Sequence, residues 1–294
     1  MHEPDPADVE RITRALGWRP TTYRPAALDR GTSSTAARWV VGGGPPSRPT
    51  AFVKIGATPR TATWTRIEAA NYAVLSGAFL PTVLGFDDDG ERPALALEDL
   101  SDAVWPPPWT DRLVAGVVEA FAAIHATPPP DRLERATFSG EPNWPIVAAD
   151  PRPFLGVGLC SDDWLRGALP TLLAAAAAAP LEGEALVHLD VRSDNLCVRD
   201  GRTIVIDWNH ATIANADLDL AFWLPSLAAE GGPRPEAILP DAPALAAWVA
   251  GYFCATAGLP FLPDAPHVRA LQRMQAATAL PWAARELGLP PPRR

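Results

Sequence analysis

One stretch, residues 186–207 (LVHLDVRSDNLCVRDGRTIVID), constrains the fold of this chain more than any other. It carries Asp190 and Asn195 in a polar segment, followed by two short apolar runs on either side of Asp200-Gly201. An Asp-Gly pair between two apolar runs predicts a β-hairpin. Such a hairpin would return Asp207 towards the polar segment, so that two carboxylates and one amide converge at a strand end. These groups are suited to holding a magnesium ion and a hydroxyl beside a phosphate.

Length and charge limit the classes of protein to consider. A chain of 294 residues predicts two domains or lobes, and its net charge of −9 argues against nucleic-acid binding. The charge leaves two interpretations open, simple solubility and a cationic substrate. Residues 1–10 are acidic and proline-rich, unlike an export signal, and the apolar run at 169–179 is too short to cross a bilayer. We therefore expect a cytoplasmic protein without membrane or nucleic-acid partners.

The cysteines indicate neither a disulfide framework nor a zinc site. Cys160, Cys197 and Cys254 are far apart in the sequence, odd in number and not part of any CxxC pair. Free thiols are expected in a reducing compartment.

Lys54 is the only lysine, since all the other basic residues are arginines. It lies in the apolar run AFVKIG, which predicts a strand, and a helix is predicted directly after it at residues 60–76. Glu68 falls on the apolar face of that helix, with Trp64, Tyr72 and Leu75. An ionised carboxylate there is costly unless it is paired, and Lys54 is the obvious partner. The alternative is that Glu68 lies exposed at the rim of the face.

The pattern along the chain divides it into a β-rich part and a helical part. A short helix at 5–17 precedes strands predicted near residues 23–28, 37–41, 51–55, 82–86 and 94–98. Residues 1–98 therefore predict an N-terminal lobe, 99–109 a proline-rich connector and 110–294 a larger, mainly helical lobe. Its helices are predicted at 111–126, 164–179, 218–229, 243–257 and 266–287, and 128–153 as irregular.

These features together resemble the aminoglycoside phosphotransferase and choline kinase family, which is related to the protein kinases. The resemblance rests on His188-x-Asp190-x-x-x-x-Asn195 and Ile206-Asp207-Trp208, in order with Lys54, Glu68 and Leu97-Glu-Asp-Leu100. It covers most of residues 20–290. It implies an α+β, two-lobed protein-kinase-like fold, with an antiparallel five-stranded sheet and one helix in the small lobe, and the site in the cleft between the lobes.

The same resemblance implies the activity. The protein is expected to transfer the γ-phosphate of ATP, with Mg²⁺, to a hydroxyl of a small molecule such as an aminoglycoside, an amino sugar or a related alcohol. Asp190 would orient the acceptor hydroxyl and receive its proton, and Asn195 and Asp207 would be the magnesium ligands. Lys54 would contact the α- and β-phosphates, and Glu68 would be its ion-pair partner.

Further contacts of the nucleotide follow from the resemblance. The main chain from Glu98 to Leu100 would hydrogen-bond adenine. The loop over the phosphates would contain Ser33, Ser34 and Thr35, in a sequence that lacks the GxGxxG pattern.

The two residues before Asp190 are His188 and Leu189. His188 could be a metal ligand or a base, or else a structural histidine that supports the Asp190 loop by hydrogen bonds. The family usually has glycine between this histidine and the aspartate, and here that position is Leu189. Its side chain is expected to point away from the site.

The class of substrate leaves alternatives. Asp207 and Asp219 are only twelve positions apart, which leaves little room for the long activation segment of a protein kinase and disfavours a protein substrate. Asp219 itself could support the catalytic loop or cap the next helix. The main alternative to an enzyme is a catalytically silent, nucleotide-binding regulatory protein, favoured by the atypical phosphate loop.

Two groups of side chains are candidates for contact with an amine-bearing substrate, and each has an ordinary structural alternative. Acidic residues could receive an amine or be solvated surface: Asp150, Asp162, Asp163 and Glu230. Tryptophans could bind a cation or pack in the core: Trp144, Trp208, Trp223, Trp248 and Trp282. Of the remaining histidines, His210 is a weaker candidate for substrate contact and His125 is expected to be structural.

Overall fold

The computed structural model describes residues 4–26, 36–263 and 265–293. The chain divides into two compact units. The first comprises Met1–Trp105 and Asp194–Ala211, and the second comprises Pro106–Ser193 and Thr212–Arg294. The hairpin segment thus packs with the first hundred residues, whereas the boundaries drawn from the sequence placed it with the helical lobe.

The strands form one large sheet and two small ones. The first unit contains a five-stranded antiparallel sheet in the order β1-β2-β3-β5-β4. Its strands are β1 Thr22–Pro25, β2 Ala37–Gly42, β3 Thr50–Ile55, β4 Val83–Asp87 and β5 Ala94–Glu98. The other strands are β6 Ala185–Val187, β7 Leu196–Arg199, β8 Arg202–Val205 and β9 Thr212–Ala214. The five predicted strands are present, and the part of the first beyond residue 26 lies outside the described residues.

Nine helices are present in the described part of the chain. The first unit contains α1 Pro6–Leu16 and α2 Pro59–Tyr72. The second contains α3 Asp111–Ala126, α4 Trp144–Ala149, α5 Arg152–Leu155, α6 Asp162–Ala177, α7 Asp217–Ala229, α8 Pro243–Ala257 and α9 Val268–Glu286. No helix among the described residues is both long and apolar enough to cross a membrane.

The core of the first unit lies between α1 and one face of the sheet. Ile12 of α1 packs in a cluster with Val41 of β2, with Val53 of β3 and with the alternate residues on either side of Val53, Ala51 and Ile55. Because side chains alternate across a strand, the residue after Val53, Lys54, faces the other side of the sheet. The apolar cluster on one face therefore fixes the direction of the lysine on the other.

Helix α2 buries most of the predicted face and further residues beside it. Glu68, Tyr72 and Leu75 are buried, whereas Trp64 is half-exposed. The further buried residues are small or polar: Thr61, Ala62, Thr65 and Asn71. The helix begins with a capping box between Thr58 and Thr61 and lies very close to the end of β3. A Cβ on Gly56 would be 2.4 Å from the Ala62 Cα, so only small residues fit at this contact. The prediction relied on bulky apolar residues and therefore did not include Thr61 and Ala62.

The hairpin formed by β7 and β8 is confirmed as predicted. Arg199 pairs with Arg202 across a two-residue turn in which Asp200 and Gly201 have φ of 52° and 76°. Two positive φ values are the geometry of a type I′ turn, which suits the twist of the flanking strands. The Asp-Gly pair therefore sets the register of the hairpin.

The second unit is helical, and one part of it was predicted wrongly. Residues 128–153, expected to be irregular, contain α4 and the first half of α5. Their prolines stand in the first turn of each helix, where the missing N–H costs nothing, and Asn143 caps α4. The other predicted helices of this unit are present, with ends shifted by at most a few residues.

The tryptophans are part of the cores. Trp144, Trp208, Trp223 and Trp282 are fully buried, and Trp248 is 6% exposed. This favours core packing over cation binding for all five.

Candidate active site

Lys54 is the centre of a buried ionic cluster in the first unit. Its Nζ lies 2.7 Å from Glu68 Oε2 and 2.5 Å from Asp207 Oδ1. Burial alone would lower the pKa of Lys54, but the carboxylates of Asp207 and Glu68 more than offset that effect and raise it. The predicted Lys54–Glu68 ion pair is present. Glu68 is 2% exposed, so the alternative of an exposed position at the rim is wrong.

The open end of the hairpin positions Asp207. The Ile206 N–H donates to the Asn195 carbonyl at 2.8 Å, which brings the residues on either side of the hairpin together. Asp207 then adopts a left-handed conformation with φ 69° and begins a short 3₁₀ turn, Trp208–His210. Asn71 of α2 donates its amide to the Trp208 carbonyl at 2.7 Å. The helix that carries Glu68 thus also fixes the turn that carries Asp207.

Asn195 and Asp207 have the chemistry of magnesium ligands. Both provide side-chain oxygens at the same end of the hairpin, and Asn195 is 4% exposed. Among the described residues, no group of three or more His, Cys, Asp or Glu side chains is arranged to hold a metal. A cation held by these two residues would need waters and phosphate oxygens as further ligands. Mg²⁺ is the ion that is usually bound in this way.

The connector after β5 packs on the β7–β8 hairpin. Val104 and Val198 exchange two backbone hydrogen bonds of 2.9 Å, and Leu100 packs in a small apolar cluster with Cys197 and Ile204. The Leu100 carbonyl accepts hydrogen bonds from Ala103 N–H and from the Trp105 indole, at 3.1 and 3.0 Å. These contacts hold the connector in a defined conformation.

The Asp190 loop belongs to the second unit and is held by Asp219. The backbone N–H groups of His188 and Leu189 donate to the Asp219 carboxylate at 3.0 and 2.7 Å. His125 Nε2 lies 3.0 Å from the same carboxylate. Of the two roles open for Asp219, the geometry supports bracing, because its side chain does not cap α7.

His188 is fully buried, and its Nδ1 accepts a hydrogen bond from the Asp190 N–H at 3.2 Å. This contact favours the structural interpretation of His188, since its Nδ1 is used within the Asp190 loop.

Three residues near these groups were missed in the sequence. Arg192 is buried, and its Nη1 donates to Asp190 Oδ1. Its place two residues after Asp190 was a usable signal. Tyr252 of α8 has its pKa raised to about 12, by burial first and then by Glu141 and Asp190. Helix α8 is apolar on all sides, so nothing in the sequence marked this tyrosine.

Arg38 of β2 is the third missed residue. It lies directly opposite Lys54 in the sheet and is half-buried. Burial lowers the pKa of Arg38, and the charges of Asp207, Glu68 and Asp194 act against that effect. Its position opposite Lys54 could have been predicted by pairing the residues of β2 and β3 outwards from the glycine- and proline-rich turn between the two strands.

Other predicted residues lie elsewhere or beyond the described residues. Ser33, Ser34 and Thr35 lie outside the described residues. His210 is exposed. Asp150 pairs with Arg152, and Asp162 and Asp163 pair with Arg166, all on the surface. The Glu230 carboxylate accepts hydrogen bonds from the Trp109 indole and the Ser193 hydroxyl.

Comparison with known proteins bears on both fold and family. The model of the phosphotransferase enzyme family matches residues 27–259. Amicoumacin kinase hAmiN, in complex with AMP-PNP, Ca²⁺ and Ami, superposes with a TM-score of 0.59 at 11% identity, covering 94% of this chain and 93% of that one. A choline/ethanolamine kinase family protein from Mesorhizobium loti gives 0.56 at 17%, covering 96% and 98%. Choline kinase from Cryptosporidium parvum Iowa II gives 0.55 at 11%, covering 98% of both chains.

These superpositions confirm the kinase-like α+β fold. No curated protein sequence matches the chain.

Proposed function

Because this chain belongs to the phosphotransferase enzyme family, we propose that it transfers the γ-phosphate of ATP, with Mg²⁺, to a hydroxyl of a small molecule. The observation that carries the proposal is the buried contact of Lys54 with both Glu68 and Asp207. Phosphoryl transfer depends on positioning and on neutralising phosphate charge, with little covalent work for the protein. Lys54 is oriented by the carboxylate of Glu68 and lies beside that of Asp207 at the end of the hairpin. This arrangement meets that requirement.

Each residue has a distinct role in this proposal. Lys54 would contact the α- and β-phosphates, with Glu68 keeping its ammonium in place. Asn195 and Asp207 would hold Mg²⁺, which supplies charge neutralisation to the phosphates when bound. Asp190 would orient the acceptor hydroxyl and take its proton, a contribution of typically about 10²- to 10⁴-fold in rate.

Adenine would bind along the connector. The Leu100 carbonyl already accepts two hydrogen bonds within the connector. Adenine would therefore form its hydrogen bonds with the Glu98 carbonyl and the Leu100 N–H. The neighbouring apolar cluster of Leu100, Cys197 and Ile204 is suited to one face of a purine.

The acceptor is proposed to be a small molecule and not a protein. The segment after Asp207 is short and contains a 3₁₀ turn, β9 and the start of α7 at Asp217. This supports the view that the chain has no long activation segment of the protein-kinase type. Near Asp190, Tyr252 and Glu141 would suit an acceptor that carries an amine as well as a hydroxyl, as aminoglycosides and amino sugars do.

Replacement of the proposed base tests the mechanism. Asp190→Asn should lower kcat by about 10³-fold, because the amide cannot accept the hydroxyl proton, while Mg-ATP affinity changes by less than about threefold. Asp200→Asn is the matched control, since Asn-Gly also suits the exposed hairpin turn and should leave kcat unchanged. Equal kcat in the Asp190 variant and the wild type would refute the assigned role.

A panel of acceptors tests the class of reaction. Wild-type protein with Mg-ATP is mixed with aminoglycosides, macrolides, amino sugars, choline and homoserine, and phosphorylated product is measured by mass spectrometry. Product from one or more of these would support the proposal. Thermal stabilisation by Mg-ATP without any product would instead favour a regulatory nucleotide-binding protein, and labelled polypeptide would favour a protein kinase.

A further inference from the structure

The sheet of the first unit carries a second cation on the same face as Lys54. Arg38 of β2 and Lys54 of β3 are direct partners in the antiparallel register. Directly opposed residues in such a pair point to the same face, with Cβ atoms about 4.5–5.5 Å apart. The alternation of the two strands gives the same result, because the adjacent residues Trp39 and Val53 belong to the apolar cluster around α1. Arg38 therefore faces the side of the sheet on which Lys54 meets Glu68.

The charges around Arg38 are those of the proposed nucleotide site. The carboxylates that act on it are Asp207, Glu68 and Asp194, and the nearby cation is Lys54. Two like charges directly opposite each other in a sheet are unfavourable. The two cations, Arg38 and Lys54, share the carboxylates of Asp207 and Glu68. Both lie on the face of the sheet on which a triphosphate beside Lys54 would bind.

The side chain is also suited to phosphate. Guanidinium groups donate two parallel hydrogen bonds to phosphate oxygens, whereas an ammonium acts as a point charge. In the sequence, Arg38 follows the hydroxyl-rich segment Ser33-Ser34-Thr35 by three residues. The motif residues that carry the family resemblance do not include Arg38.

We propose that Arg38 binds the phosphate chain of the nucleotide together with Lys54, as a second phosphate-contacting cation. The inference rests on the proposed function, because it requires a nucleotide beside Lys54. It adds that the affinity for nucleotides should depend on two cations from adjacent strands. The benefit of Arg38 should then increase with the number of phosphates on the ligand.

Binding of adenosine, ADP and ATP to the full chain tests this inference. Affinities are measured by calorimetry with Mg²⁺ present for wild type, Arg38→Met and Arg48→Met. Arg38→Met should weaken ATP binding by about tenfold or more, ADP binding by less and adenosine binding by less than about twofold. Arg48 lies in the exposed turn after β2, so Arg48→Met should bind all three ligands as the wild type does.

Several outcomes would overturn the inference. ATP affinity of Arg38→Met equal to that of the wild type would show that Arg38 contacts no phosphate. An equal loss for adenosine and ATP would show that Arg38 only supports the fold. If the Met variant does not fold, as judged by thermal melting, Arg38→Gln replaces it with the same expected pattern. Failure of the wild-type protein to bind ATP would reject the proposed function and this inference with it. That outcome is distinct from a difference in affinity between the variants, which tests this inference alone.

Discussion

Two residues of the candidate site hold left-handed backbone conformations without being glycine. Leu189 has φ 62° and Asp207 has φ 69°. Left-handed backbone costs an L-residue roughly 1–2 kcal/mol, so it persists only where the surroundings impose it. At Leu189 the imposing contact is the hydrogen bond from its N–H to Asp219. This geometry explains why a glycine would be usual between the histidine and the aspartate of the motif.

Glycine should therefore be favoured over alanine at position 189. Leu189→Gly and Leu189→Ala both remove the side chain beyond Cβ, but only glycine relieves the left-handed strain. The free energy of unfolding of the glycine variant should exceed that of the alanine variant by about 1 kcal/mol, measured by urea denaturation.

The same pair of substitutions in an extended strand is the control. Arg202 begins β8 and is exposed, so Arg202→Ala should be the more stable variant there by about 0.5–1 kcal/mol. Equal stability of the glycine and alanine variants at position 189 would contradict the strain argument.

At the scale of elements, helix α7 supports the Asp190 loop through a single side chain. Asp219 lies in the first turn of α7 and is 1% exposed. Its carboxylate accepts hydrogen bonds from two backbone N–H groups and contacts the ring of His125, which stacks on Phe121 of α3. One carboxylate thus ties the loop to two helices of the second unit.

Loss of this carboxylate should affect both stability and activity. Asp219→Ala leaves two buried backbone donors without their acceptor, so the free energy of unfolding should fall by about 3 kcal/mol. The loop would lose its support, and we expect kcat to fall by at least about tenfold with little change in Mg-ATP affinity. Urea denaturation and steady-state kinetics measure these two effects.

Asp217 provides a matched control, because it lies in the same turn and is exposed. Asp217→Ala should change the free energy of unfolding by less than about 0.5 kcal/mol. Should Asp219→Ala be as stable and active as Asp217→Ala, the bracing role would be wrong.

Local signals in the sequence were sufficient for some elements and not for others. The β7–β8 hairpin and the Lys54–Glu68 pair depend on a turn and on two adjacent elements, and both were predicted. The burial of Thr61 and Ala62 on α2 was not, because it depends on the close approach to Gly56, which is a tertiary constraint. Arg38 was missed for a related reason, since its proximity to Asp207 depends on strand register and on a residue far along the chain.

At the scale of the whole molecule, the three thiols are deeply buried. Cys160, Cys197 and Cys254 are free and at most 5% exposed. Burial raises the pKa of the Cys160 thiol to about 11 and that of Cys197 to about 12, and it raises the pKa of Cys254 well above its usual value. A thiol with a raised pKa has little of the reactive thiolate at pH 8.

The native protein should therefore resist alkylation. At pH 8, each of the three cysteines should react with iodoacetamide at least about 100-fold more slowly in the folded than in the unfolded chain, because both thiolate and access are lost. Labelling is followed by mass spectrometry of the separate peptides. An added cysteine at exposed Ala122 on α3 should react rapidly in the same sample. Rapid native labelling of Cys160, Cys197 or Cys254 would contradict the burial described for it.

The division into units was the part of the architecture least accessible from the sequence. Composition separates a β-rich beginning from a helical remainder, and it predicts two contiguous parts. Nothing in the composition marks residue 194 as the point where the chain passes from the second unit back to the first. That boundary depends on the hairpin packing against Leu100 and Val104. A boundary that arises from packing cannot be read from local patterns.

The discontinuous first unit has a consequence for engineering. Since the hairpin that lies against the connector comes from residues 194–211, a fragment ending at Trp105 would leave the apolar surface around Leu100 uncovered. The first unit therefore cannot be exchanged between relatives as one contiguous segment. A functional chimera would have to take two separate segments, residues 1–105 and 194–211, from the same parent.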